Sequence, residues 1–546
     1  MRKTALISVF DKTGIIEFAT KLSENGYDLV ASGGTAKKLI EAGLTVTDVA
    51  DFVGGGAILG HRVVTLSREI HAALLARDVE EDQAELDRLE IPRIDLVCCD
   101  MYPLHDAIAK SNVTQESVIE STDIGGPTMI RSAAKGRRFV ICTQGGRKSF
   151  MQYLESGIDN EEQEEVFRTA LISIAEGVVS EYCLSSARYH SRFVEGGAID
   201  GMVGVQCRDD LKYGENGYQT PARLFKDQIA CMNDPLAIPN FKVIAGNPGF
   251  VNLTDLDRLL QTVTHIAAGF ELNRGRVPFI AVGVKHGNPC GAAYDFGNPE
   301  EVLRKMLTGD LRAIFGGLIM TNFQINLDRA QILLTHEMPD DKRRLLDGII
   351  APEISANAAD LLQRKNGRCS LITNEALLGL KQESLDDSTR FRPVRGGFLT
   401  QPNYTFVMNF NDEDMVCYGS PEEAVENDLL LAWAIGSTSN SNTITIVKDG
   451  MLIANGVGQQ DRVGCCEVAL EIRARDAGHS PVNAVAYSDS FFPFADGPAV
   501  LADHGIKAVL SSSGSMGDEE VISLLKQKGI LTYLIPDRKA RGFFGH

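Results

Sequence analysis

No stretch of the 546 residues stays apolar for the roughly 18 positions that a membrane-spanning helix needs. The opening Arg2-Lys3 leads into a short apolar stretch that Asp11 and Lys12 cut off, too brief for the core of a secretory signal, so the chain is expected in the cytoplasm. Cysteine is scarce, with 11 residues and an odd count, and none has Cys-x2-Cys or Cys/His zinc spacing. Reduced, structural cysteines and no bound metal are expected, with the vicinal pairs Cys98-Cys99 and Cys465-Cys466 as buried apolar filler. Positive charge is also short. Against 73 acidic residues stand 54 basic ones, a net of −19 that opposes broad attraction to nucleic acid or anionic lipid and leaves anionic small molecules to local pockets. A Walker A loop is missing, and the nearest approach to a dinucleotide fingerprint, Gly456-x-Gly458 continuing to Gly464, has the wrong spacing.

What is present is a large folding chain, 44% hydrophobic and 23% charged, with room for several cores. Thr4 to Val9 is apolar and β-branched, Asp11-Lys12-Thr13-Gly14 turns, and Ile15, Phe18, Ala19 and Leu22 fall on one helical face. The pattern repeats with a strand at Asp28 to Ala31, a turn at Ser32-Gly33-Gly34-Thr35 and a helix at Ala36 to Ala42. Strands at Ile94 to Cys99 and Phe139 to Thr143 complete an expected α/β domain over residues 1–195 on a mainly parallel sheet. A polar, glycine-rich connection is expected at 196–219 and a larger α/β region at 220–546. Within that region Val277 to Val284 runs into Lys285-His286-Gly287, and Thr443 to Val447 runs into Lys448-Asp449-Gly450, an echo that hints at internal duplication.

Several motifs carry chemistry. The two early turns put Lys12, Thr13, Ser32, Gly34 and Thr35 at helix N-termini on one sheet edge, which suits a phosphate. Capping and turning explain one such turn; two in tandem point to a phosphate. Asp123-Ile124-Gly125-Gly126-Pro127-Thr128 leads into a helix bearing Arg131 and Lys135, either a reactive acid and lysine or a cap and a solvated side chain. Lys285-His286-Gly287-Asn288-Pro289-Cys290-Gly291 is the sharpest signal, a basic pair where an apolar strand ends and a Gly/Pro-rich loop is expected to begin. Histidine suits proton transfer near neutral pH, and the adjacent lysine favours function over a structural role. Phe491-Phe492-Pro493-Phe494-Ala495-Asp496 is either core packing or a wall for a flat ring.

Taken in order, these motifs resemble one family along nearly the whole chain, the bifunctional purine-biosynthesis proteins that join AICAR transformylase to IMP cyclohydrolase. Tyr213-Gly214-Glu215-Asn216, Asp347-Gly348-Ile349-Ile350-Ala351-Pro352, Gly458-Gln459-Gln460-Asp461-Arg462 and Ser488-Asp489-Ser490-Phe491-Phe492-Pro493-Phe494 add to the likeness. The resemblance implies an α/β chain: an N-terminal methylglyoxal-synthase-like three-layer domain, then two cytidine-deaminase-like α/β subdomains without zinc. It implies a homodimer acting on AICAR and formylated AICAR, with 10-formyltetrahydrofolate as co-substrate and no metal. By the same resemblance Lys285 orients the formyl group, His286 takes a proton from the amine, and Asn442 helps hold the formyl oxygen. Asp347 and Gly348 belong to the pterin site, Arg462, Phe492 and Asp496 to the shared pocket, and Lys212, Tyr213 and Asn216 to the ribotide site. In the first domain Lys12, Thr13, Ser32, Gly34, Thr35, Arg62 and Thr65 would bind substrate, while Tyr102, Asp123 and Lys135 would assist ring closure.

The chain departs from the family where function is expected. Where the family reads R-V-K-T-L-H-P, this chain has Arg62-Val63-Val64-Thr65-Leu66-Ser67-Arg68, so Val64 replaces a lysine central to cyclisation. N-L-Y-P becomes Asp100-Met101-Tyr102-Pro103, A-A-K-N becomes Ala133-Ala134-Lys135-Gly136, and Phe10 replaces a serine, all expected to weaken the cyclohydrolase. In the other half R-Y-G-E-N-P-H-Q becomes Lys212 to Gln219, trading a forked arginine for a lysine and a histidine for Tyr218. The C-terminal R-x-F-x-H becomes Gly542-Phe543-Phe544-Gly545-His546, losing a second arginine, for which Arg541 is the nearest substitute in sequence. A monofunctional transformylase and a non-catalytic ribotide- or folate-binding protein are the alternatives; an α/β oxidoreductase is disfavoured by the missing fingerprint.

Overall fold

The computed structural model describes residues 3–59, 63–157, 160–193, 205–206, 211–226 and 228–544. The chain divides into two compact units, Met1–Val205 with Phe225–Ile229, and Gln206–Leu224 with Ala230–His546.

In the first unit β1 (Lys3–Ser8), β2 (Tyr27–Ala31), β3 (Val46–Asp48), β4 (Leu96–Cys99) and β5 (Phe139–Ile141) form a parallel sheet in the order β3-β2-β1-β4-β5. Side chains alternate across a strand, so Ala5 and Ile7 enter one core with Phe18 and Phe150, while Leu6 enters the other with Ile70 and Ile130. Both faces of the sheet are therefore covered, as unbroken apolar parallel strands require. Helices α1 (Ile15–Glu24) and α2 (Gly33–Glu41) follow β1 and β2, and the four apolar positions Ile15, Phe18, Ala19 and Leu22 are all buried. Further along lie α3 (Arg68–Leu75), α4 (Gly125–Lys135), α5 (Gln144–Ser156) and the 31-residue α6 (Glu161–Ser191). The chain lays β2 and β3 to one side of β1 and then returns to place β4 on the other, so the ends of β1 and β4 flank a topological switch point.

The second unit is built on a 12-stranded sheet whose two halves repeat one another. The first half holds β6 (Lys242–Ala245), β7 (Phe279–Lys285), β8 (Asn288–Asp295), β9 (Leu318–Thr321), β10 (Gly348–Ala351) and β11 (Ser370–Thr373). After a separate, exposed hairpin of β12 (Thr389–Val394) and β13 (Gly397–Pro402) comes the second half. It consists of β14 (Val416–Tyr418), β15 (Ile444–Lys448), β16 (Met451–Gly456), β17 (Val485–Ser488), β18 (Ala508–Ser513) and β19 (Leu531–Pro536). The sheet order is β6-β11-β10-β9-β7-β8 followed by β16-β15-β17-β18-β19-β14, the same pattern read inward from each edge, with strand directions matched pair by pair. The halves join where β8 pairs antiparallel with β16 at Ala293 and Met451. The short sequence echo thus marks a full internal duplication.

Each half sends one long helix to the shared core, α7 (Phe250–Arg274) and α8 (Glu423–Ser437). They pack closely: a Cβ added to Gly269 would lie 2.9 Å from the ring of Trp433, the only tryptophan. The opposite faces bury separate clusters, one around Met306, Ile319 and Leu371, the other around Cys465, Cys466 and Leu470. Cys98 and Cys99 are likewise buried, so both vicinal pairs are apolar filler as expected. No helix among the described residues is long and apolar enough to cross a membrane.

Candidate functional site

The first candidate site lies on the carboxyl edge of the first unit's sheet. Beyond β1, Val9 is tied to α2 by Thr35, whose hydroxyl donates to Val9 O at 3.1 Å and accepts from Val9 N at 3.3 Å. The Ser32 side chain does not cap α2; it meets the Ser8 hydroxyl at 2.7 Å instead. Lys12 folds back, its Nζ donating to Val9 O at 3.3 Å and Phe10 O at 3.4 Å, and a Cβ on Gly34 would sit 3.7 Å from its Cε. Thr13 donates its N–H to Asp11 Oδ1 at 2.9 Å, and hydrogen bonds from the Thr13 hydroxyl and N–H, then from Gln144, hold the Asp11 carboxyl down at about 2. Lys12, Thr13, Ser32, Gly34 and Thr35 are thus brought to one edge.

Asp100, the departure from the family asparagine, is fully accommodated. Its carboxylate accepts from Phe10 N and, at 3.3 Å, from Asp11 N, and it forms a 3.0 Å ion pair with Arg147. Arg147, 5% exposed at its side chain, also donates to Thr13 O at 2.7 Å and Asp11 O at 3.1 Å. The Asp100 carboxylate is thus hydrogen-bonded and paired, although burial still raises its pKa. Arg147 is a residue the sequence reading missed, since nothing links it to the Asp11 loop before the fold brings them together.

Next to this edge, Asp123 accepts from Gly126 N at 3.0 Å and its own N–H donates to the Tyr182 hydroxyl at 2.6 Å. Burial raises the Asp123 carboxyl, while backbone N–H groups of Gly126, Tyr102 and Gly125 act against the shift. Gly125 and Gly126 leave the required space: a Cβ would fall 2.7 Å from Thr65 Oγ1 at the first and 2.5 Å from Asp123 Oδ2 at the second. Thr65, Tyr102 and Asp123 are thus neighbours, and the exposed Tyr102 ring meets Phe10 edge-on at 5.7 Å. Lys135 is not brought to them within this unit, because it ends α4, about 15 Å along the axis from Gly125. Val64 packs against the apolar cluster of Ile70, Val97 and Met129. Arg62 lies outside the described residues.

The second candidate site is built on the hairpin of β7 and β8. The residues after Lys285 are not the expected loop: Lys285 pairs with Asn288, and the stretch from Asn288 is strand. Only His286 (φ 55°) and Gly287 (φ 75°) form the turn, both left-handed, the geometry of a two-residue type I′ hairpin. The duplicate turn, Asp449 (φ 53°) and Gly450 (φ 76°), has the same form. Such a tight turn lifts His286 into solvent. Lys285 Nζ donates to Phe315 O at 2.8 Å, and its charge acts on Asp347, whose carboxyl is nevertheless raised, burial outweighing the pull of Arg364 and Lys285. Arg364 lies 3.4 Å from Asp347. Gly348 serves the sheet, since a Cβ there would lie 2.9 Å from Ser370 O.

Asn442 begins the approach to β15. Its Nδ2 donates to Gln459 O at 3.0 Å and its Oδ1 accepts from Arg462 at 2.9 Å. Arg462 is anchored in turn on the buried carboxylate of Asp489. Phe492 is 2% exposed and packs against Gly497 and Cys466, so core packing is its structural role, while Phe494 is 65% exposed. Asp496 is exposed and accepts from Gly497 N at 2.7 Å. The exposed Lys212 lies 5.5 Å over the Tyr213 ring. Asn216 is engaged in loop closure, donating its N–H and Nδ2 to Gln219 Oε1 at 2.8 and 3.1 Å. Arg541 leans toward Asp537 at 3.8 Å, while Arg258 and Arg390 stack on the ring of Phe544.

Comparison with known proteins matches both parts of the chain, with a changeover between residues 128 and 133, inside the first unit. A family model described as AICARFT/IMPCHase bienzyme matches residues 133–472, and one described as an MGS-like domain matches residues 14–128. Two curated relatives, each named bifunctional purine biosynthesis protein PurH, come from two strains of Bacillus cereus. Each is 33% identical over 532 residues, covering 97% of this chain and 98% of its own. A solved structure titled "Crystal structure of ForH" is 32% identical, covers 34% of this chain and 95% of its own, and has a TM-score of 0.31.

Proposed function

The chain belongs to the AICARFT/IMPCHase bienzyme family, and from that premise we propose where its two activities reside. It is an enzyme of purine biosynthesis that formylates AICAR and closes the product to IMP. Formyl transfer belongs to the Lys285-His286 turn of the second unit and cyclisation to the Lys12–Asp123 edge of the first. The observation that carries this reading is the hairpin turn itself, which exposes His286 while holding the ammonium of Lys285 near Asp347.

The donor, a formyl-folate and in this reading 10-formyltetrahydrofolate, supplies an activated one-carbon unit. Asp347, flanked by Arg364 and Lys285, suits a polar heterocycle with N–H donors. His286 accepts the proton that the 5-amino group of AICAR loses as its nitrogen bonds to the formyl carbon. Lys285 orients the formyl group, and Asn442, with one Nδ2 hydrogen spent on Gln459, offers the other to the formyl oxygen. The bond from the formyl carbon to the donor nitrogen then breaks, and that nitrogen takes up a proton. Arg462 and the exposed Phe494 and Asp496 frame this pocket, with Phe492 behind them in the core and Gly348 in the sheet, and Lys212, Tyr213 and Asn216 act on the ribotide. A homodimer is part of the reading, and sedimentation tests it.

In the first unit Lys12, Thr13, Ser32, Gly34, Thr35, Arg62 and Thr65 hold the ribotide, an assignment supported by a Ser32 hydroxyl directed at Ser8 and not at the helix. Tyr102 and Asp123 assist loss of water, whereas Lys135, at the far end of α4, has no part in the step within this unit. Val64 in an apolar cluster favours a second reading, a transformylase whose first unit no longer cyclises. Assaying formyl transfer from AICAR, and IMP formation from formylated AICAR, in one sample separates the two. Transfer without IMP would establish the second reading, and no transfer would overturn both.

A further inference from the structure

We propose that Arg258 is a positioning residue of the second unit, locking the Lys285-His286-Gly287 turn to the Asn440–Asn442 segment so that both sides of the site are held in one geometry. Gly287 is gripped at both ends of its residue from a single helix. Asp255 on α7 accepts from Gly287 N at 2.8 Å, and Arg258, three residues later on the same face, donates from Nε to Gly287 O at 2.8 Å. The same guanidinium donates from Nη2 to Asn440 Oδ1 at 2.8 Å and from Nη1 to Phe544 O, and it lies 4.4 Å from the Phe544 ring centroid. Asn288, next to the turn, closes the circuit by accepting from Asn440 N at 3.2 Å. One planar fork therefore joins three chain segments that are remote in sequence, which a point-charge lysine cannot do.

The internal duplication separates what the hairpin needs from what the Lys-His turn has gained. On α8 Asp428 occupies the place of Asp255 and accepts from Asp449 N at 2.9 Å and Gly450 N at 2.8 Å. Three residues on, where α7 has Arg258, α8 has the buried Leu431. The carboxylate arm belongs to both halves; the arginine stands only behind the turn that carries lysine and histidine. Burial and the neighbouring Arg390 lower Arg258 to about 10, so it stays charged at neutral pH.

The catalytic consequence rests on the reading that formyl transfer occurs at Lys285 and His286; the mechanical coupling does not. In the full chain, Arg258→Ala should speed amide hydrogen exchange about tenfold in both the Lys285–Asn288 and Asn440–Asn442 segments, leaving the Asp449-Gly450 turn unchanged. It should lower kcat for formyl transfer about 10- to 100-fold with KM for AICAR within about twofold, and Arg258→Lys should recover only part of either effect. Asp428→Asn should loosen the duplicate turn and leave kcat unchanged. Unaltered exchange at Asn440–Asn442 in Arg258→Ala, or wild-type behaviour of Arg258→Lys, would overturn the proposal. A full formyl-transfer rate in His286→Ala would instead overturn the functional reading, and the exchange data would still judge the clamp.

Discussion

At the scale of single residues, the departures from the family divide into those the fold repairs and those it exploits. Asp100 is repaired, because Arg147 supplies the opposite charge and two backbone N–H groups fill the carboxylate. Gly136 is required: a Cβ there would lie 1.8 Å from Leu74 O, at the end of α3, where the buried Arg138 also donates to Leu74 O at 2.9 Å. Restoring the family asparagine by Gly136→Asn is expected to destabilise the first unit by about 2 kcal/mol, read as a fall in its thermal midpoint. An unchanged midpoint would show that α3 and α4 move apart freely. Val64 differs again, since a lysine stem could lie along the same cluster with its ammonium outside. Val64→Lys should raise the rate of IMP formation from formylated AICAR about tenfold or more, measured by single-turnover assay. Absence of any gain would remove this position from the cyclisation.

At the scale of elements, the parallel strands and early helices were legible because their residues obey simple periods, four buried positions on α1 being the clearest case. The Lys285-His286 motif stands out in the sequence, but the sequence points to a loop after it where the structure has a strand. Asn288-Pro289 carries turn-forming residues, yet pairing with β7 draws it into a strand, a tertiary effect that local propensity does not contain. Asp255 and Arg258 left no signal, since an acid and a base on a helix read as a solvated face until the hairpin lands on them. Helix α7 also carries a group that matters for acid stability. His265 is fully buried, its Nδ1 lies 2.7 Å from Gln261 O, and its ring stacks on Tyr404 at 5.2 Å. Burial lowers its pKa to about 4, below the 6.5 of a free histidine. The neutral ring thus stabilises the fold fully above pH 6.5, and that contribution is lost as pH falls from 6.5 towards 4. The span corresponds to on the order of 3 kcal/mol. Urea midpoints of the second unit should fall across this window, and His265→Gln should flatten the fall; an equal fall in the variant would exclude His265 as its source.

At the scale of the whole molecule, the chain repeats a principle twice: a sheet edge or hairpin end presents short polar groups, and remote segments fix them. The duplication in the second unit was visible in sequence only as the echo of V-K-x-G, because matched strand directions need no matched residues. Division of labour between units is the central claim, and one pair of assays on wild type and His286→Ala tests it most directly. Wild type should convert AICAR and 10-formyltetrahydrofolate to the formylated ribotide and then to IMP. His286→Ala should lose about 10² to 10⁴ in formyl transfer while forming IMP from supplied formylated AICAR at the wild-type rate. A variant that transfers formyl groups at full rate, or that loses both activities together, would contradict the account.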